Sequence, residues 1–578
     1  MIRILLLSTL LLLLLAFRLP DPPSDEKYPV DYFQPPVAHT LLLSGTFGEL
    51  RPNHFHAGID IKSSKGVAGD PVYAAADGYI SRIKVDESGY GNAIYINHPN
   101  GFTTVYAHLD RFSDALAAYV KNLQYEKKSF EVDLNPEHGE FQVLQGDQLG
   151  IMGNSGSSNG AHLHFEVRKT SSQKPVNPLL FGFKVTDNVK PKMHSVKAYF
   201  LNDKLEEQST KEFNLIKIKN GEYRIKGDTL ALSAWRAGFA LKVYDHFDRV
   251  SNWNGIYSLK MYQDDALVYD FDMESFSFDE SLYINAHCDY EERVTKKSYY
   301  NRCFHLPGNE LSIYNQKVNN GVVELYENKA SHIVMVASDV AGNETTLEFW
   351  VKRNKVPATS VASKTYNYIL PFDEGNLIRT EGLYLHLSKG TLYENLYMQY
   401  ETTAERSDGC YSHVHHLHNY RTPIHKYFDI GIRPTVSIPA ELKPKVFVAY
   451  CQGGDIWNCG GEWNEGLLRT RVRALGDYCI MVDVKPPVIT PVAFAYNMRG
   501  YNKMKFKVTD NVETMGPVRA ITYNAWVDGQ WIMMEYDKKS DMLTYEFDEH
   551  VGEGDHILKL VVKDAVGNEA VFEKNFIR

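Results

Sequence analysis

Basic charge, cysteine and long apolar runs are all scarce in this chain, and each shortage excludes something. Lys and Arg number 62 against 72 Asp and Glu, a formal net charge of −10. A polyanion binder needs a basic footprint for counterion release, so nucleic acid is excluded as a partner. The six cysteines (Cys288, Cys303, Cys410, Cys451, Cys459, Cys479) include no CxxC pair, which argues against a cysteine metal site. The one almost unbroken apolar run follows Met1-Ile2-Arg3 and ends at Phe17, short of the about 20 residues a spanning helix needs. An early positive charge and a run of that length predict a secretory signal over residues 1–20 and an exported chain. That places it in the periplasm, at the cell envelope or outside the cell. No clear small-x-small cleavage site follows, so an uncleaved anchor to the inner or outer membrane stays open. No cysteine follows either, which argues against lipid attachment. In an exported chain six cysteines allow three disulfides in 15 connectivities. Sequence proximity favours Cys288 with Cys303.

What is abundant points to β structure. At 578 residues the chain is long enough for three or four domains, and its 44% hydrophobic content is that of folded protein. Its 37 tyrosines and many short apolar runs between turn residues favour strands. In Gly160-Ala161-His162-Leu163-His164-Phe165-Glu166-Val167, apolar and polar residues alternate, as in a strand with one buried face. Leu163, Phe165 and Val167 would enter a core, while His162, His164 and Glu166 would face a cleft. Upstream, after a Pro-rich linker over 21–44, comes Asn53-His54-Phe55-His56-Ala57-Gly58-Ile59-Asp60. If extended, it puts His56 and Asp60 on one face, with Gly58 between them leaving that face clear. Tyr79–Val85, Ala93–Asn97 and Phe102–Ala107 read as antiparallel strands, reversed at Ser88-Gly89 and Asn100-Gly101. The third delivers Tyr106-Ala107-His108-Leu109, and a loop from Gly153 to Gly160 leads into His162.

HxGxD, then YAHL, then a Gly/Ser-rich loop and HLHFE, in that order, resemble the lysostaphin/LytM-type zinc metallopeptidases. The resemblance covers about residues 45–180, within a metallopeptidase domain expected at 45–182. It implies an antiparallel β catalytic domain with Zn2+ held by His56, Asp60 and His164, and with His108 and His162 as the non-ligand catalytic histidines. Two imidazoles and one carboxylate are a donor set typical of catalytic zinc, with a fourth position left for water. A neutral imidazole nearby can take that water's proton and pass it to the leaving amine. His162 is the first choice for that base. His108 would then stabilise the oxyanion or hold the water, and the two roles can be exchanged. His54 and Glu166 are expected beside the ligands, with Glu166 orienting a ligand histidine. Asn154, Ser155 and Ser158 are expected to bond an extended peptide. The substrate implied is peptidoglycan, cut in its stem-peptide cross-links. A cell-wall-binding scaffold, a hydrolase activator or a peptidase of exported proteins are the alternatives.

The chain departs from the compact family pattern in an insertion over about 111–142. Ser113 stands as N-cap, and Leu116, Tyr119, Val120 and Leu123 are at helical spacing. Leaving directly from His108, it would form a wall of the cleft or a surface decoration. Downstream, Asp339-Val340-Ala341-Gly342-Asn343 and Asp564-Ala565-Val566-Gly567-Asn568 repeat one phrase, and Asp245 to Asn252 resembles it. Strand, Asp-x-x-Gly-Asn turn, strand is the last hairpin of many immunoglobulin-like sandwiches. Such modules are expected at 183–355 and 486–578, with a β-rich module of uncertain type at 356–485. The modules would bind the wall or a protein partner. The Asp-rich turns have the residue types that bind calcium, although lone turns of this kind are common. The histidines of Tyr411–His418 read as structural or surface groups.

Overall fold

The computed structural model describes residues 27–354, 365–404 and 409–578. The N-terminal apolar run and the start of the linker lie outside the described residues. The chain is mainly β, in successive sheets each with its own core.

The first sheet carries the motifs. Its main elements are β1 (Leu43–Gly45), β2 (Ile59–Lys62), β3 (Gly78–Val85), β4 (Asn92–Asn97), β5 (Phe102–Phe112), α1 (Asp114–Lys127), β6 (Gln148–Met152) and β7 (His162–Lys169). Strands run in the order β1-β2-β7-β5-β4-β3, antiparallel throughout. The alternation in β7 sets its faces: Leu163, Phe165 and Val167 are wholly buried with Ile59, Ile61, Ile94 and Ile96. The β4–β5 reversal is closed by a bond from the Gly101 amide to the His98 carbonyl, with Gly101 at φ 84°, a conformation glycine adopts without penalty.

Helix α1 starts after Ser113, whose backbone carbonyl accepts the Ala117 amide but whose side chain makes no cap bond. Leu116 and Val120 face the sheet core. The opposite face meets the C-terminal sheets: Tyr125 stacks on His550 at 3.7 Å and donates to Asp548 at 2.7 Å, and Lys121 pairs with the same carboxylate at 3.0 Å. The insertion is therefore a dock for the last module.

Strands between Lys192 and Arg353 enclose the second core. Phe47, Phe55 and Ala57 from the segment that precedes β2 are part of that core, with Phe55 against Phe276. Two further sheets are built from strands between Asn376 and Val482, with Glu513–Thr514 added at one edge, and two four-stranded sheets face each other across Met504, Phe506, Leu558 and Leu560 in the C-terminal module. Cys288 and Cys303 are buried and unbonded in the second core, acting as small apolar fillers, so the pairing expected from their proximity is not formed. Cys410 and Cys479 bring their sulfurs together at 2.9 Å, buried with Phe447 and Ala449.

Candidate metal centre

Strand register brings the polar residues of the motifs together. Asp60 on β2 is directly opposite His164 on β7, and His56 reaches the same point from the segment before β2. His56 Nε2, Asp60 Oδ1 and His164 Nδ1 form a triangle with edges of 2.9, 3.0 and 2.9 Å. All three residues are buried. Gly58 is required for a reason other than a clear face: a Cβ there would lie 2.3 Å from the Phe165 carbonyl, so only glycine lets the strands close.

The other nitrogen of each ligand imidazole is committed. His56 Nδ1 donates to the Thr46 carbonyl at 2.8 Å, and His164 Nε2 donates to Glu166 Oε1 at 2.8 Å. As neutral rings, both then turn a lone pair toward the Asp60 oxygen. Three facing lone pairs are relieved only by a cation or a shared proton. Burial pushes His56 down to about 4. Burial also pulls His164 down, but its bonds to Asp60 and Glu166 outweigh that and push it up to about 9, the proton solution. Burial would raise Asp60, yet His56 and the Arg51 guanidinium hold its carboxyl well below the usual range. Two imidazole nitrogens and a carboxylate oxygen, oriented through their far atoms, fit zinc.

His108 and His162 flank the triangle. By alternation His108 would face the core, since Ala107 pairs with His164 on the site face. Instead His108 has φ 63°, and its ring lies 4.9 Å from that of His162 and 5.8 Å from that of His164. A positive φ at a non-glycine residue costs of order 1 kcal/mol and marks a functional candidate. His108 Nδ1 donates to the Ser155 carbonyl at 2.9 Å, and burial pushes its imidazole down to about 3. His162 Nδ1 donates to the Gly160 carbonyl at 2.9 Å, leaving Nε2 3.4 Å from Asp60 Oδ1.

A supporting layer was absent from the sequence reading. Arg51 holds the outer oxygen of Asp60 at 2.5 Å, and Arg168 and Tyr90 each hold Glu166 at 2.5 Å. Arg168 continues the period of His162, His164 and Glu166, a signal that was available. Arg51 and Tyr90 carry no such pattern. Other expectations are corrected. His54 is exposed, lines the same cleft as His56 and has its Nδ1 on the Pro52 carbonyl at 2.9 Å rather than on a member of the triangle. Asn154 and Ser155 use their side chains to close their own loop, on the Gly160 amide and on the Leu109 carbonyl and Asn92 amide. Ser158 bonds to Gly160 and His162 and does line the cleft. No residue of 111–142 lines it. The cleft, of about 1110 Å³, is completed by Phe278, Ser281 and Leu282 from the second module and by Arg473. In the stretch 413–418 separate partners are found, His415 with Tyr400 and His416 with Asp477.

Peptidase family M23 matches residues 54–125 and 135–178, and a Zu5-like domain matches residues 367–483. DD-carboxypeptidase/endopeptidase Mpg of Neisseria meningitidis is 35% identical over 151 residues, 26% of this chain and 25% of that protein. Murein hydrolase activator NlpD of Escherichia coli is 33% identical over 124 residues, 22% of this chain and 25% of that one. The chain thus spans about a quarter of the length of the curated relatives it matches. The catalytic domain of lysostaphin from Staphylococcus simulans aligns over 24% of this chain and 91% of its own, at 21% identity and TM-score 0.18. With the motif order, the strand register and the family match in agreement, the segment between His54 and Pro178 is a Peptidase family M23 domain of the lysostaphin/LytM type.

Proposed function

We propose that the chain is an exported zinc metalloendopeptidase that hydrolyses stem-peptide cross-links of bacterial peptidoglycan. The observation that carries this is the buried triangle of His56, Asp60 and His164, with both outer imidazole nitrogens anchored. The wall substrate rests on the similarity to Mpg and NlpD. Bound zinc would supply the Lewis acid that acidifies a water and polarises the scissile carbonyl. The residues of the chain do the rest. His162, with Nδ1 tied to Gly160, offers Nε2 to take the water's proton and hand it to the leaving amine. His108 is kept neutral with Nδ1 donating, so its Nε2 is an acceptor, which suits holding the water better than stabilising an oxyanion. Arg473 also lines the cleft, and a guanidinium there would suit a stem-peptide carboxylate. The regions 183–355, 356–485 and 486–578 act as three modules that position the cleft on the wall or on a partner, the first two also contributing to its lining.

A non-catalytic activator is the competing reading, because a murein hydrolase activator matches the same segment. The test is digestion of purified peptidoglycan together with zinc analysis, for the chain from Asp21 onward and for His164→Ala. One zinc per chain and conversion of cross-linked muropeptides to monomers, both lost in the variant, are expected. Zinc without cleavage of peptidoglycan would transfer the reading to the activator.

A further inference from the structure

Two modules outside the peptidase domain carry the same cluster of carboxylates at matching places. In the second module it is Asp187, Asp245 and Asp339; in the C-terminal module it is Asp483, Asp510 and Asp564. Within each cluster, one oxygen from each residue lies within 4.8 Å of the others. The parts correspond one to one. Asp187 and Asp483 lie in the entry segments Asp187-Asn188-Val189-Lys190-Pro191 and Asp483-Val484-Lys485-Pro486. Asp245 and Asp510 directly follow the strands Arg236–Tyr244 and Lys503–Thr509. Asp339 and Asp564 open the repeated turn, each accepting from the amide and the side chain of Asn343 or Asn568. Each of those asparagines also donates to the carbonyl of the entry aspartate, Asp187 at 3.2 Å and Asp483 at 3.1 Å.

What distinguishes these clusters from ordinary Asp-rich turns is an orphaned oxygen. Asp245 is 1% exposed and Asp510 half-buried, yet Oδ1 of each is buried without a hydrogen-bond partner among the described residues. The orphan is the same member of the cluster in both copies. None of the six carboxylates pairs with Lys, Arg or His among the described residues. A buried carboxylate oxygen normally finds a donor or a cation, so two equivalent failures point to one missing partner. Burial, then the neighbouring carboxylates Asp187 and Asp339, pushes Asp245 up to about 8, as expected for like charges held together without a counter-ion.

We infer that each module binds one hard divalent cation of the calcium class, the first through Asp187, Asp245 and Asp339 and the second through Asp483, Asp510 and Asp564. An all-oxygen donor set without imidazole or thiolate selects calcium or magnesium over zinc. In both copies the cation would tie the entry segment to the module that follows, fixing the angle at which that module leaves its predecessor. The first site also adjoins the peptidase domain: Asp245 pairs through its backbone with Asn254, and Gly255 bonds to Thr46.

The test is a calcium titration of the full chain stripped with EGTA, read by equilibrium dialysis and thermal melting. Two Ca2+ per chain are expected, with one in Asp245→Asn, one in Asp510→Asn and none in the double variant. Ca2+ should raise the melting temperature of the parent chain. The double variant should not respond to Ca2+, and in EGTA it should melt no lower than the parent, because without an ion each crowded carboxyl is already pushed toward the neutral form that Asn resembles. A parent chain that binds no Ca2+ at millimolar concentration, or single variants that keep two ions, would overturn the inference. Melting in EGTA separates loss of binding from loss of fold.

Discussion

Replacing Glu166 with Gln should separate the support of the metal centre from the support of the fold. Glu166 is completely buried and holds three groups: His164 Nε2 at 2.8 Å, Arg168 Nε at 2.5 Å and the Tyr90 hydroxyl at 2.5 Å. Burial would raise its carboxyl, but Arg168 and His164 hold it at about 2 against an ordinary 4.5. At about 1.36 kcal/mol per unit, that is about 3 kcal/mol of folded-state preference for the anion. The folded value is depressed, so this stability is fully present above pH 4.5 and is lost as the pH falls toward 2. Glu166→Gln removes the charge and strands the Arg168 guanidinium, a loss of about 3–5 kcal/mol for one partner of a buried pair. It should also weaken zinc binding about 10–100-fold, the usual effect of changing the partner of a ligand histidine. Hydrogen exchange across residues 162–169 reads the first effect, since about 3 kcal/mol accelerates exchange by about 100-fold. Competition with a chelator reads the second. Adding Arg168→Met should restore most of the protection and none of the zinc affinity. If zinc affinity returns together with protection, Glu166 acts only through packing and the assigned role fails.

Other perturbations reach different parts of the site. His108→Asn keeps a residue type that tolerates positive φ and removes no ligand. Zinc content should be unchanged while muropeptide release falls at least about 100-fold; loss of zinc would make His108 a ligand. In the metal-free site His164 stays protonated up to about 9 while His56 protonates only near 4. Zinc binding should therefore release one proton between pH 5 and pH 8, and its apparent affinity should fall about tenfold per unit as the pH drops. Calorimetry in buffers of different ionisation enthalpy counts that proton, and a count of zero would refute the protonation of His164 in the metal-free site. Tyr125→Ala removes a stack and a bond to a carboxylate, together about 2 kcal/mol. Protease cleavage between the third and C-terminal modules should accelerate with zinc content unchanged; unchanged cleavage would show that α1 is not the dock.

The grouping of His56, Asp60 and His164 was legible because it depends on two local periodicities, and the register of β2 against β7 follows from the same alternation that buries Ile59, Ile61, Leu163 and Phe165. His108 reached the candidate list by resemblance alone, since a positive φ in the middle of a strand breaks the alternation that a sequence displays. Least legible was what holds His56. Phe55 and Ala57 flank it with apolar side chains whose partners, including Phe276, lie about two hundred residues further on. No local pattern announces a contact of that range. Its consequence is that the peptidase domain leans on the next module. Excising residues 27–182 would expose Phe47 and Phe55, now 2% and 1% exposed, at about 1.5–3 kcal/mol each. The loop that aims His56 would relax to shed that cost in other ways, carrying one ligand off the triangle. The excised domain should therefore bind zinc at least tenfold more weakly than the full chain, with β2 and β7 still paired by hydrogen exchange. Equal affinities would mean that Thr46 alone fixes the His56 ring, and that the second module serves only to roof the cleft.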